Sequence, residues 1–414
     1  MGQYILRAKT LLEEGFTWGR RPLAWQSFGT HYLIALIFKV FGNKAPYVPV
    51  AVCYAFFSAV AVPLAYVLAC RVLPRHWMAA AIGIVLLLWY PNIANTGFFL
   101  SEAPFLAAQL LSTYWLVRVM QEGKRALPAG LISAVCFMLR PQSAIWFVFV
   151  LLTWLVNRRR LPWVRWLHIV AIALPLVGAL FFSSWRFYKH TGYAGGVAES
   201  ANMNLTAGRC HNIVTQAFKT ERQLEQSVRT RNTRNGRRVS VPGLRSLGHI
   251  DPRHVARLNP AMGHESIRFV GYIGDPEIHR ELRRECFRRT GFIGQLRYTI
   301  GNIALQWFFA HQWPDQEPSS RWVLTISDTY RGLFQLFVLL PSLLGMGIAL
   351  RQIRTRPELA IIGLQILGSI LIAGIFFGDI RLRTPYDPYA MILAVLGWAW
   401  FINALIRWRR RRQA

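Results

Sequence analysis

Nine apolar runs, at residues 47–73, 78–90, 98–119, 127–139, 143–156, 166–185, 332–350, 359–377 and 389–406, leave this chain few folds to choose from. In hydrocarbon every backbone polar group has to find its partner within the protein, and a lone segment does so only as a helix. Roughly 20 residues carry a perpendicular helix across the bilayer core; several of these runs are shorter, so their helices are predicted to extend into flanking polar residues. Composition agrees, since 53% of the 414 residues are hydrophobic and the mean hydropathy of +0.28 is too high for a soluble protein of this size. The predicted fold is an all-α polytopic membrane protein of about nine crossings, a multi-helix transmembrane bundle with a small external cap that is α-rich or irregular.

The formal net charge of +29 invites a nucleic-acid reading. The arginines argue against it: they cluster between apolar runs and at the C-terminus, and the chain has no RNA-binding aromatic motif, zinc-finger spacing or basic heptad. Orientation signalling and lipid-headgroup contact explain them better. Arg71 with Arg75, Lys124 with Arg125, Arg158, Arg159 and Arg160 with Arg165, Arg351 with Arg354 and Arg356, and residues 407–412 fall on alternate connections. By the positive-inside rule these connections are cytoplasmic. The opposite face, periplasmic or extracellular for a protein of the inner (plasma) membrane, then receives the N-terminal segment, residues 92–102, Arg140 with Pro141, the stretch 186–331 and the turn at 379–388.

Three regions follow: an N-terminal transmembrane half with external amphipathic segments (1–185), an external cap (186–331), and C-terminal transmembrane helices with a basic cytoplasmic tail (332–414). Within the cap, residues 220–247 space arginines through polar residues and read as mobile, whereas 292–309 reads as an interfacial helix returning to the bilayer. Residues 4–12 predict a short amphipathic helix stopping at Gly15, and 31–41 an apolar helix ending at Gly42, both on the outer side. Cys53, Cys70 and Cys136 lie in apolar runs as small apolar residues. Cys210 and Cys286 share the cap, where a disulfide and two free thiols are both open. No Cys or His cluster has metal-ligand spacing, so no metal and no cofactor are expected.

Five motifs now stand in order. Tyr4, Ala8, Leu12 and Gly15 come first, then Arg21-Pro22-Leu23 with Tyr32-Leu33 and Lys39-Val40-Phe41-Gly42. Ser101-Glu102-Ala103-Pro104-Phe105 opens a later run, Gly130-Leu131 precedes Leu139-Arg140-Pro141, and Arg381-Leu382-Arg383-Thr384-Pro385 runs into Asp387-Pro388. With these residues the chain resembles the C-superfamily membrane glycosyltransferases, the group of protein O-mannosyltransferases and lipid A aminoarabinose transferases that includes the dolichyl-phosphate-mannose-dependent type. The resemblance implies transfer of a sugar from a polyprenyl-phosphate carrier to a lipid, glycan or protein acceptor at the outer face, by inverting displacement at the anomeric carbon.

That chemistry needs a carboxylate to take the acceptor's proton and cations to steady the departing phosphate. Arg381 and Arg383 suit the phosphate, because guanidinium groups hold its oxygens through paired hydrogen bonds; Arg140 and Arg21 are further candidates. The plainer alternative is snorkelling arginines anchoring helix ends. The family's catalytic acid sits just upstream of the position matching Tyr4, where this chain has only Met1-Gly2-Gln3, so a preceding helix and the base are expected upstream of Met1. Within the chain Glu102 is the best carboxylate, with Glu13, Glu14 and Asp379 behind it, and loss of activity is a third outcome. The alternative for Glu102 is a helix N-terminal charge with Ser101 as its cap. Asp379 and Asp387 are expected to pair with Arg381 or Arg383 rather than act as bases. Residues 192–212 predict a glycine-containing loop in which Asn204 and His211 face sugar or phosphate, against a plain surface turn.

Rival readings are a polysaccharide polymerase or ligase, a flippase for polyprenyl-linked saccharides, and a non-catalytic scaffold. The flippase reading lacks paired interrupted helices and ionisable groups at mid-span depth.

Overall fold

The computed structural model of the chain describes residues 2–15, 21–42, 45–210, 213–218, 220, 223, 265–270, 274–309 and 321–413. Two compact units emerge: Met1–Val197 with Thr325–Ser369 and Arg383–Ala414, and Ala198–Leu324 with Ile370–Leu382.

All nine apolar runs are helical. In order the first unit holds α1 (Gly2–Glu14), α2 (Arg21–Ala24), α3 (Gly29–Phe41), α4 (Tyr47–Val72), α5 (His76–Leu87), α6 (Tyr90–Ala94), α7 (Glu102–Glu122), α8 (Ala126–Leu139), α9 (Ala144–Asn157) and α10 (Trp166–Thr191). Gly15 and Gly42 follow α1 and α3 with φ of 65° and 83°, a left-handed backbone that ends each helix where the sequence indicated. Among the described residues five helices are long and apolar enough to cross a membrane, or six if α5 and the segment after it, bent by 50°, form one broken span. That is fewer than the nine runs, for two reasons. Helices α8 and α9 have 14 residues each, about 21 Å at the helical rise against a core of about 30 Å. Helix α7 has 21 residues but carries Glu102, Gln109, Arg118 and Glu122.

The alternation of basic connections is visible in the packing. Arg71 pairs with Glu122 at 2.8 Å, Arg356 donates to Val72 O at 2.6 Å, Trp163 to Met120 O at 2.9 Å and Arg160 to Arg354 O at 2.9 Å. These connections therefore meet at one end of the unit. The N-terminal segment meets the other, where Ser27 donates to Leu139 O at 2.8 Å.

After the second unit the chain returns through α13 (Arg321–Leu333) and a π-helical stretch (Phe334–Leu339) into α14 (Leu340–Arg351), then α15 (Pro357–Ile375), α16 (Ile380–Arg383) and α17 (Asp387–Gln413). A Cβ on Gly345 would stand 1.9 Å from Leu393 O, and one on Gly397 2.1 Å from Pro341 O, so α14 and α17 touch backbone to backbone. Valine at either position is expected to cost about 1–3 kcal/mol or more by overpacking, read as a lowered unfolding temperature in detergent.

The second unit contains α11 (Ser200–Arg209), a parallel strand pair β1 (Ile213–Phe218) and β2 (Glu265–Val270) with Ile213 opposite Glu265, and α12 (Pro276–Ala304). The strand pair adds to the α-rich or irregular cap that composition suggested. Residues 200–209, expected as loop, are helix: Gly208 lies so close to Phe376 O that no Cβ fits, and Asn302 donates to Gly208 O at 3.0 Å. The arginine-rich stretch 220–247, apart from 220 and 223, lies outside the described residues.

Cys210 and Cys286 are bridged, with Cα atoms 5.5 Å apart and 76 residues between them in sequence. Removing the bridge with Cys210→Ser and Cys286→Ser is expected to cost about 2–4 kcal/mol; proteolytic resistance of this unit unaffected by reductant would refute it. Helix α12 breaks at Gly291, φ 61°. Before the break its surface is basic, and Arg288 and Arg289 hold the Glu285 carboxyl down at about 2. Beyond the break Phe292, Ile293, Leu296 and Ile300 are exposed while Gln295, Asn302 and Gln306 are buried, the inside-out pattern of the predicted interfacial helix.

Candidate functional site

Two buried ion pairs lie in the first unit at the end opposite the basic connections. The first joins α7 to α8. Pro141 disfavours helix at the residue before it, so α8 ends at Arg140 with an extended backbone (φ −145°, ψ 101°). From there Arg140 Nη2 donates to Glu102 Oε1 at 2.5 Å and Nε to Ser101 Oγ at 2.9 Å. Ser101 makes no side-chain cap to α7; its hydroxyl serves Arg140 instead, which corrects the capping expectation. Both charged residues are buried, Glu102 at 1% and Arg140 at 4% exposure.

The second pair sits at the start of α17, where Arg383 Nε donates to Asp387 Oδ1 at 3.0 Å and Trp89 Nε1 to Asp387 Oδ2 at 2.8 Å. Each Asp387 oxygen thus has a donor, and the Arg383 guanidinium lies 3.8 Å over the Phe334 ring. The expected Asp387–Arg383 pairing is present.

Aromatic rings link the pairs. Arg140 lies over Phe105 at 5.2 Å, Phe105 meets Trp146 at 5.7 Å, and Trp146 meets Tyr386, the neighbour of Asp387, at 6.0 Å. Arg140 Nη1, the Tyr386 hydroxyl and the Trp146 indole nitrogen are buried with no partner among the described residues. Buried donors left unmatched are rare and costly, and three of them gather around this one ring set. From Glu102 a polar seam continues along one face of α7, with Gln109 donating to Gln365 at 3.2 Å and Thr113 bonded to the Tyr389 hydroxyl at 2.9 Å.

The other predicted residues are placed differently. Arg381 belongs to the second unit, where Asp379 Oδ1 accepts from its backbone N–H at 2.9 Å. Two positions before Arg383, it points about 200° away around the helix axis, so the two arginines do not share one face of α16. Arg21 opens α2, but its side chain lies outside the described residues, as does all of His211. Asn204 is half-buried on α11 rather than in a loop. Sequence reasoning passed over Trp89, Trp146 and Tyr386; the signal available was Tyr386 inside the Arg-Thr-Pro-Tyr-Asp-Pro run, and a tryptophan at the end of each of two apolar stretches.

Residues 26–185 match the family model of the dolichyl-phosphate-mannose-protein mannosyltransferases. That stretch contains Trp89, Glu102, Phe105, Arg140 and Trp146. No curated protein and no solved structure matches the chain.

Proposed function

We propose that this chain is a membrane glycosyltransferase of the C-superfamily type that moves a sugar from a polyprenyl-phosphate carrier to an acceptor at the outer face, with the Glu102–Arg140 pair at the heart of the site. The observation that carries the reading is Arg140 itself: a buried guanidinium held by a carboxylate on one side, with Nη1 unmatched on the other. Such a group stabilises charge on a departing phosphate at no reorganisation cost. Arg383, held by Asp387, extends the positive field of the same unit. Glu102 orients Arg140, and Asp387 holds Arg383. Two further observations favour the outer face. The basic connections gather at the opposite end, and the Cys210–Cys286 bridge suits an oxidising compartment.

The test supplies radiolabelled polyprenyl-phosphate sugars to the full chain in liposomes and follows label into lipid, glycan and protein fractions. Transfer in the wild type and none in Arg140→Gln is expected. Label crossing the bilayer without transfer would replace the transferase with a flippase.

A further inference from the structure

At the end of the first unit where the basic connections meet, the last turns of α4 and α7 and the start of α8 bring cations together at the surface. Both oxygens of Glu122 serve two guanidinium groups: Arg118 donates through Nη2 at 2.5 Å and Nε at 3.2 Å, and Arg71 through Nη1 at 2.8 Å. Aromatic rings carry the same cations. Arg71 lies over Tyr114 at 5.9 Å, while Arg118 and Arg125 both lie over Trp115, at 5.3 and 5.0 Å. Arg125 is exposed and pairs with no carboxylate among the described residues. Three guanidinium groups thus gather around one carboxylate, and each reaches the surface. An incoming anion needs no buried route to them.

Arg125 stands there against a backbone penalty. With φ at 64° it is the one non-glycine residue in the left-handed region among the described residues, a conformation that glycine or asparagine adopts far more easily. The connection that holds it is fixed on its inner side, where Trp163 Nε1 donates to Met120 O at 2.9 Å and a Cβ on Gly123 would stand 2.5 Å from Trp163 O. Exposed ion pairs add little to stability, so strain kept at an exposed arginine calls for a task other than clamping helices. The surroundings narrow that task. Along α8, Leu127, Leu131 and Val135 are exposed at four-residue spacing, an apolar stripe that leads away from the cations. Guanidinium planes laid on rings present paired donors to phosphate oxygens, and beside a track for an acyl chain that phosphate is a lipid's. The excess of positive charge selects an anionic headgroup over one that carries its own ammonium.

We infer that Arg71, Arg118 and Arg125, arrayed on Tyr114 and Trp115, bind the phosphate of an anionic phospholipid in the leaflet at this end, with an acyl chain lying along Leu127, Leu131 and Val135. The inference stands apart from the transferase reading, because its readout is lipid binding.

The delipidated full chain in neutral detergent is titrated with phosphatidylglycerol, phosphatidylethanolamine or inorganic phosphate, while native mass spectrometry counts adducts and thermal unfolding is followed. Saturable phosphatidylglycerol adducts that raise the unfolding temperature are expected, with phosphatidylethanolamine weaker and with phosphatidylglycerol binding weakened about fivefold in Arg125→Asn. Without lipid, Arg125→Asn should unfold at the wild-type temperature or above it, since asparagine accepts the left-handed backbone; Arg125→Gly repeats the comparison should that variant fold poorly. Arg159→Gln removes an exposed charge at the same end outside the cluster and should bind as the wild type does. An equal loss in Arg159→Gln would replace the site with diffuse attraction. Saturation by inorganic phosphate alone would replace the lipid with a soluble anion, and a dimer lost in Arg125→Asn would replace it with a second copy of the chain. Wild-type lipid binding in both Arg125 variants, or none in the wild type, would overturn the inference outright.

Discussion

With Arg140 replaced by methionine, sugar transfer is expected to vanish and the protein to lose about 3–5 kcal/mol of stability, because the buried Glu102 carboxylate loses the guanidinium it pairs with. Glu102→Leu should cost a similar amount by stranding Arg140. The double variant should regain much of that loss, since two apolar side chains of similar size often replace a buried pair without penalty. It should remain inactive. Arg140→Lys keeps the charge but cannot reach Ser101 and Glu102 together, so partial activity is expected. Unfolding of the four variants in detergent, with label transfer measured in parallel, checks both halves. Strictly additive losses would mean that the pair is not coupled, and transfer by the double variant would remove it from the chemistry.

The second large effect belongs to Asp387. Asp387→Ala takes the carboxylate away from Arg383, which is 1% exposed, and is expected to cost about 3–5 kcal/mol. Trp89→Phe deletes one hydrogen bond to a charged acceptor and leaves the ion pair standing, so about 1.5–3 kcal/mol is expected. The ordering, more than either value, is the test: equal losses would show that the carboxylate serves the indole and the guanidinium no differently from a neutral acceptor.

The helices were legible because apolar length and basic connections are local signals, and Gly15 and Gly42 mark their stops through backbone geometry that only the nearest residues decide. The ion pairs were legible as candidates and only half so as partners. Asp387 and Arg383 are one helical turn apart and could be paired from spacing. Glu102 and Arg140 are 38 residues apart, and Trp89 meets Asp387 across 298, distances at which packing chooses the partner. Ser101 had the residue type of a cap, yet Arg140 offered its hydroxyl a charged donor. Residues 200–209 lack a helical apolar stripe, so their helix follows from docking Gly208 and Arg209 onto neighbours far along the chain. Spacing left Cys210 and Cys286 open between thiols and bridge, because separation in sequence says nothing about a Cα distance.

The polar seam of α7 bears on how the protein enters the bilayer. Alone in lipid, that helix would present Glu102, Gln109 and Thr113 to hydrocarbon, where unmet polar groups are strongly disfavoured. Its smallest unit of insertion is a hairpin with α8, because Arg140, directly after α8, brings the counter-charge for Glu102. Insertion is therefore expected to be cooperative here: Glu102 meets its counter-charge once α8 follows, while Gln109 and Thr113 meet Gln365 and Tyr389 only when the last helices arrive.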